Sequence, residues 1–186
     1  MAATTTHLMT VEEFRQLPED DAPVYYELRH GEVVAVPRPK LKHHVIQDRL
    51  CDYFKALAPP GSFVGYELAF RALPEHEFRV ADLAWVSPER WATADMEDNI
   101  RGAPDLVIEI LSPSNSAAEM RERKELCLNN GAKEFWVVDP VRRLVKVSTP
   151  SGDTRTFSSG QEIPLPLFGE GKLAVDDIWG WKAPTS

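Results

Sequence analysis

The segment PDLVIEILSPS (residues 104–114) contains the apolar run LVIEIL (residues 106–111), which carries one carboxylate, Glu109, near its middle. A second apolar run, VADLAWV (residues 80–86), likewise contains a single carboxylate, Asp82. Strands this apolar usually lie at the centre of a sheet, with both faces covered. We therefore predict a central sheet whose two middle strands draw Asp82 and Glu109 toward the interior.

Two substantial helices are predicted beside this sheet. The first opens near His43 and His44, and its apolar positions share one helical face: Ile46, Leu50, Phe54 and Leu57. The sequence SPSN (residues 112–115) is typical of a turn and an N-cap, and a second helix is predicted over residues 117–130. Because these helices interrupt a strand-rich chain, the predicted class is α/β or α+β, with one mixed central sheet.

Shorter elements are predicted around this core. A hairpin is expected at residues 25–36 around Gly31, and short strands are expected in the C-terminal part. We predict a single domain over residues 9–181, flexible ends at residues 1–8 and 182–186, and packed anchors at Trp179 and Trp181.

Composition narrows the classes of function. The chain has 186 residues and a net charge of −8, which argues against a general nucleic-acid coat. No apolar run reaches the roughly 18 residues that a membrane helix needs, and the start lacks a signal-peptide pattern. We expect a cytoplasmic protein with no membrane association.

The two cysteines, Cys51 and Cys127, are not spaced as a zinc site, and we expect both to lie in the core.

Asp82 and Glu109 need an explanation, because a buried ionised carboxylate costs several kcal/mol unless it is paired. A shared divalent cation would explain both, and Mg²⁺ suits a site with few protein carboxylates. The alternative is that both form structural salt bridges with arginines. Glu27, just before the predicted hairpin turn, is either a third member of this site or an exposed strand carboxylate.

Further candidates lie on the two helices. His43 shares the apolar face of the first helix, whereas His44 points roughly the opposite way, so His43 is the better candidate. Arg123 and Lys124 lie in the helix that follows the Glu109 strand. A cation there could stabilise a developing negative charge, although charged helix positions are usually solvated.

Five segments together resemble the Uma2 family, also called the domain of unknown function 820 family, within the PD-(D/E)XK restriction-endonuclease-like superfamily. They are YEL (26–28), GEV (31–33), VADL (80–83), PDLVIEILSPS (104–114) and GAKEFWVVDP (131–140). The resemblance implies a restriction-endonuclease-like core with an added N-terminal hairpin and C-terminal strands. It also implies a Mg²⁺-dependent endonuclease acting on DNA, in which Mn²⁺ could substitute and a homodimer could cut both strands.

By this resemblance Asp82 and Glu109 would hold the metal, and Glu27 and His43 would be ancillary. The sequence departs from the superfamily pattern at Leu111, where lysine is usual two positions after the second acidic residue. The family's spacing for a lysine on the following helix places Arg123 there, with Lys124 beside it, and Cys127 replaces a usual tyrosine.

These departures leave three functions open. The chain could be the nuclease just described, or a nuclease-like fold that only binds or regulates. It could also be a metal-dependent hydrolase of another phosphoester, such as RNA.

Overall fold

A computed structural model describes residues 8–18, 24–73 and 75–179. The expected anchor Trp181, most of the expected flexible start and the expected flexible end at residues 182–186 lie outside these ranges. Within them the fold is a mixed seven-stranded sheet with a helix on each face, which confirms the predicted class.

The helices and strands follow one another closely along the chain. In order they are α1 (Val11–Phe14), β1 (Val24–Arg29), β2 (Glu32–Pro37), α2 (Leu41–Leu57), β3 (Phe63–Arg71), β4 (Arg79–Val86), α3 (Pro88–Trp91), β5 (Ile100–Arg101), β6 (Leu106–Ile110), α4 (Ala117–Asn129), β7 (Glu134–Asp139), β8 (Leu144–Ser148), β9 (Thr154–Ser158), β10 (Glu162–Leu165), β11 (Gly171–Ala174) and α5 (Val175–Trp179).

The central sheet has the strand order β5-β3-β4-β6-β7-β8-β9. Strand β6 runs parallel to β7 and β3 runs parallel to β5, whereas the other neighbouring pairs are antiparallel. The two apolar runs form β4 and β6, which are adjacent at the middle of the sheet. This pairing brings Asp82 and Glu109 onto neighbouring strands.

The two faces of the sheet have separate cores. Ile108 of β6 packs with Phe54 of α2, and Val107 packs with Leu126 and Cys127 of α4. Side chains alternate along a strand, so α2 and α4 cover opposite faces. Cys51 and Cys127 are both buried and unbridged, as expected for core positions.

Local sequence signals explain where several elements begin. Helix α4 starts at Ser116, whose hydroxyl accepts the amide of Glu119 while the Glu119 carboxylate accepts the amide of Ser116. The N-cap predicted within residues 112–115 was therefore placed too early, because the capping box belongs to Ser116. Residues 112–115 form the turn instead, in which Asn115 accepts the amide of Ser112.

The predicted N-terminal hairpin is formed by β1 and β2, and its turn uses two residues with positive φ, His30 and Gly31. Strand β1 also bridges to the start of β4 through Leu28 and Phe78. The hairpin therefore brings Glu27 against the central sheet. No helix in the described ranges is long and apolar enough to cross a bilayer.

Candidate functional site

Asp82 marks the point where β4 and β6 stop pairing. The antiparallel ladder between them runs from Trp85 and Leu106 to Leu83 and Ile108. At the next position the Asp82 carboxylate enters, and its Oδ2 atom accepts the amide of Ile110 at 2.7 Å. A side chain thus replaces the backbone pairing, which holds the carboxylate beside Glu109.

Helix α2 supplies two contacts to Asp82. His43 Nε2 lies 3.1 Å from Asp82 Oδ2, and Gln47 Nε2 donates to the Asp82 carbonyl at 3.0 Å. His43 and Gln47 are four residues apart, so both project from one face of the helix. Burial opposes protonation of His43, but its hydrogen bond to Asp82 raises its pKa above the ordinary value.

Glu109 and Glu27 share the guanidinium of Arg123. Arg123 Nη1 donates to Glu109 Oε2 at 3.0 Å, and Nη2 donates to Glu27 Oε1 and to the carbonyl of Val80. Glu27 also accepts the amide of Val80 at 2.9 Å and is paired with Arg29. Arg123 therefore joins three parts of the chain: the hairpin, strand β6 and helix α4.

Burial acts differently on the two glutamates. Burial raises the pKa of Glu109 well above its usual range, because the opposing charge of Arg123 compensates only in part and Asp82 adds repulsion. Burial also favours the neutral form of Glu27, but Arg123 and the Val80 amide outweigh it and lower its pKa. The guanidinium itself loses hydration, yet its two carboxylate neighbours raise its pKa, so it stays charged.

Lys124 and His44 face elsewhere. Lys124 is half-buried, and within the described part of the chain it forms no ion pair with Asp82 or Glu109. His44 is exposed and its Nδ1 lies 3.0 Å from Gln47 Oε1. Of each neighbouring pair, the structure brings only Arg123 and His43 into contact with the acidic residues.

The salt-bridge alternative was raised for Asp82 and Glu109: it holds for Glu109, which pairs with Arg123, whereas Asp82 forms no ion pair with an arginine among the described residues. The alternative that Glu27 is an exposed strand carboxylate is wrong, because its side chain is fully buried and pairs with Arg123 and Arg29. Two observations fit a divalent cation. Glu109 Oε1 is buried without a hydrogen-bond partner, and the hydrogen bonds of the Asp82 carboxylate all engage Oδ2 within the described ranges. No trio of His, Cys, Asp or Glu side chains in those ranges is arranged around a metal. The two carboxylates of Asp82 and Glu109 are the donors that such a cation would find, and Mg²⁺ is a cation that takes one or two carboxylates and keeps several waters.

A profile of the Uma2 family, described as "Putative restriction endonuclease", matches residues 11–176. The chain belongs to the Uma2 family. This Uma2 protein is also similar to a solved structure from Anabaena variabilis ATCC 29413, described as a putative nuclease belonging to DUF820. The two share 28% sequence identity over 93% of this chain and 98% of the other, with a TM-score of 0.78. No curated protein shows significant sequence similarity to it.

The family assignment and the nuclease-like fold predicted from the sequence are thereby confirmed. Sequence reasoning missed Gln47 and the backbone amides of Ile110 and Val80 in this Uma2 protein. The spacing of Gln47 four residues after His43 was a usable signal. The amides leave no trace in the sequence, because every residue except proline carries one.

Proposed function

We propose that this protein is a divalent-cation-dependent endonuclease that hydrolyses DNA phosphodiester bonds. The observation that carries the proposal is the buried, unpartnered Oε1 atom of Glu109 next to the Asp82 carboxylate, whose Oδ1 atom makes no hydrogen bond to the described residues. An unsatisfied buried carboxylate oxygen costs stability unless a ligand occupies it. Nuclease descriptions of the family and of the Anabaena protein support the same reaction.

Asp82 and Glu109 are the proposed metal ligands. Bound Mg²⁺, or Mn²⁺ in its place, would lower the pKa of a coordinated water and neutralise phosphate charge. His43 holds Asp82 in its orientation, and Glu27 holds Arg123 against Glu109. Arg123 remains protonated, so it can offer positive charge near the phosphate but cannot act as a general base. In the proposed site, Lys124 does not contact the described acidic residues.

Cleavage of supercoiled plasmid by purified protein tests the proposal. We expect nicking with Mg²⁺ or Mn²⁺ that is lost in EDTA and in Asp82→Asn and Glu109→Gln. Asp153→Asn and Glu162→Gln are matched controls, since both residues are exposed and lie on the β8–β11 side of the chain. Nicking that persists in both site variants would contradict the proposed site.

A second function, a nuclease-like module that binds without cutting, is favoured by one observation. Arg123 already pairs with Glu109 and Glu27, which partly neutralises both carboxylates without a metal. This function predicts DNA binding that is unaffected by EDTA, with no cleavage by the native protein. A cleavage assay on RNA under the same conditions distinguishes a DNA endonuclease from a hydrolase of another phosphoester.

We also propose a homodimer, because cleavage of a duplex needs two cuts and a dimer would supply one site for each strand. Sedimentation of the native protein with and without duplex DNA tests this directly. A monomer in both conditions would overturn it.

A further inference from the structure

A cavity of about 330 Å³ lies between the β1–β2 hairpin, the start of α2 and strand β3. Its walls combine aromatic rings with charged side chains. They are Tyr25, Tyr26, Arg38, Pro39, His44, Glu67, Phe78 and Val80. The volume falls at the lower end of the range of sites that hold small organic groups.

The cavity adjoins the acidic site from three directions. Val80 in its wall is held by Glu27 and Arg123 through its amide and carbonyl groups. His44 contacts Gln47, which in turn donates to the Asp82 carbonyl. Tyr25 and Glu27 are two residues apart on β1, so their side chains lie on the same face of that strand.

Glu67 lies across from Asp82 at a gap in the sheet. Strand β3 pairs with β4 at Tyr66–Leu83 and again at Leu68–Ala81, and the pairing is interrupted at Glu67 between them. Glu67 has φ +52°, a left-handed conformation that is uncommon for residues other than glycine. Such strained positions concentrate at ligand sites. In this backbone conformation Glu67 is exposed and lines the cavity.

We propose that this cavity binds an unpaired nucleobase of the substrate, next to the phosphodiester that is cleaved. Aromatic rings stack on bases regardless of sequence, and the aromatic residues Tyr25 and Tyr26 line the cavity beside Phe78, whose ring packs on Phe14. Arg38 can donate to base acceptors, and Glu67 can accept from base amino groups. The inference rests on the proposed nuclease function and makes unpaired or unwound DNA its preferred substrate.

Charge argues against a phosphate as the occupant. Glu67 would repel a phosphate in the same cavity. A base carries no net charge and presents both donors and acceptors. The mixed charge of Arg38 and Glu67 therefore matches a base better than the backbone.

Binding of the full chain to a short oligodeoxynucleotide containing 2-aminopurine tests the inference. Single-stranded and duplex forms are compared in EDTA, so that no cleavage occurs. We expect the native protein to bind the single strand more tightly and to quench the 2-aminopurine fluorescence. Loss of the ring in Tyr25→Leu should weaken single-strand binding about tenfold, and loss of the donor in Arg38→Ala should have a similar effect.

Two matched variants separate a ligand contact from damage to the fold. Tyr25→Phe keeps the ring, and Arg155→Ala removes an exposed arginine of β9 at the far edge of the sheet. Arg155→Ala should bind within about twofold of the native protein, and Tyr25→Phe should recover most of the affinity that Tyr25→Leu loses. Equal affinity for single strand and duplex, or native affinity in Tyr25→Leu and Arg38→Ala, would overturn the inference.

Parallel plasmid assays distinguish this inference from the nuclease proposal. A native protein that cuts plasmid, with cavity variants that bind like the native protein, overturns the nucleobase site alone. Cavity-dependent binding without any cleavage overturns the nuclease alone. No binding to either oligonucleotide form overturns the nucleobase site.

Discussion

Arg123 donates to Glu109 across 3.0 Å, and the same guanidinium also binds Glu27. One cation therefore serves two buried carboxylates, and Asp82 places a third negative charge nearby. Arg123 alone cannot balance these charges when all three carboxylates are ionised. Arg29 pairs with Glu27 as well, so the carboxylates that depend most on a further cation are Asp82 and Glu109.

Removing Arg123 should destabilise the protein strongly. Arg123→Ala leaves Glu27 and Glu109 buried without their shared partner, and the free energy of unfolding should fall by about 3–5 kcal/mol. Urea denaturation at pH 7 measures this change. Lys124→Ala is the matched control on the next position of α4, with an expected loss of at most about 1 kcal/mol. Equal losses in the two variants would contradict the buried pairing of Arg123.

His43 should matter for metal affinity through Asp82. His43→Ala removes the side-chain contact to Asp82 Oδ2, and loss of such a partner typically weakens metal binding by about 10–100-fold. Calorimetry with Mn²⁺ measures the affinity. The neighbouring variant His44→Ala should keep native Mn²⁺ affinity, because His44 contacts Gln47 and not the Asp82 carboxylate. Similar losses in both variants would disagree with this role of His43.

Asp98 lies at the opposite end of the sheet from β9. Its ionisation should make the free energy of unfolding depend on pH. The hydrogen bond from Arg15 lowers the pKa of Asp98 well below its usual range, with help from the Asn99 amide, Arg101 and Arg71. A carboxyl whose folded pKa is lowered contributes stability above its unfolded pKa of about 3.9 and loses that contribution as pH falls through its folded pKa.

Asp98→Asn should therefore be less stable than the native protein by about 1–3 kcal/mol at pH 7. The difference should shrink as the pH is lowered below about 4. Chemical denaturation across this range measures it. Asp52→Asn, an exposed position on α2, should stay within about 0.5 kcal/mol of native throughout. A gap for Asp98→Asn that is independent of pH would refute the ion-pair explanation.

The hairpin turn should tolerate no side chain at Gly31. Its φ is +76°, and an added Cβ would lie 2.7 Å from the Cβ of Leu8. Gly31→Ala should lower the free energy of unfolding by about 2–4 kcal/mol, from left-handed strain and steric overlap together. Gly152→Ala also has positive φ but meets nothing within 4 Å, so strain alone should cost about 1–2 kcal/mol. Thermal denaturation that ranks the two variants equally would show that the overlap relaxes.

Most of the sheet and both long helices could be predicted because their signals are local. Strands β4 and β6 are continuous apolar runs, and α4 ends just before Gly131, which has φ +116°. The boundaries were less secure. The start of α4 at Ala117 was predicted correctly, but its N-cap was placed within residues 112–115 instead of at Ser116, since SPSN and Ser116 carry similar turn chemistry.

The candidate site could be predicted only in part. Asp82 and Glu109 stood out because a lone carboxylate in an apolar strand is chemically conspicuous. Glu67 did not stand out, because its left-handed backbone arises where β3 and β4 fail to pair across from Asp82. No local pattern encodes that interruption.

The sequence by itself determined which strands are central, which carboxylates they carry and which family the pattern resembles. Those properties follow from hydrophobicity and spacing along the chain. Only the tertiary structure decided between Arg123 and Lys124 and brought Glu27 to the same guanidinium. Neighbouring helix residues differ by about 100° in direction, and the packing of α4 against the sheet and the hairpin selects the one that points inward.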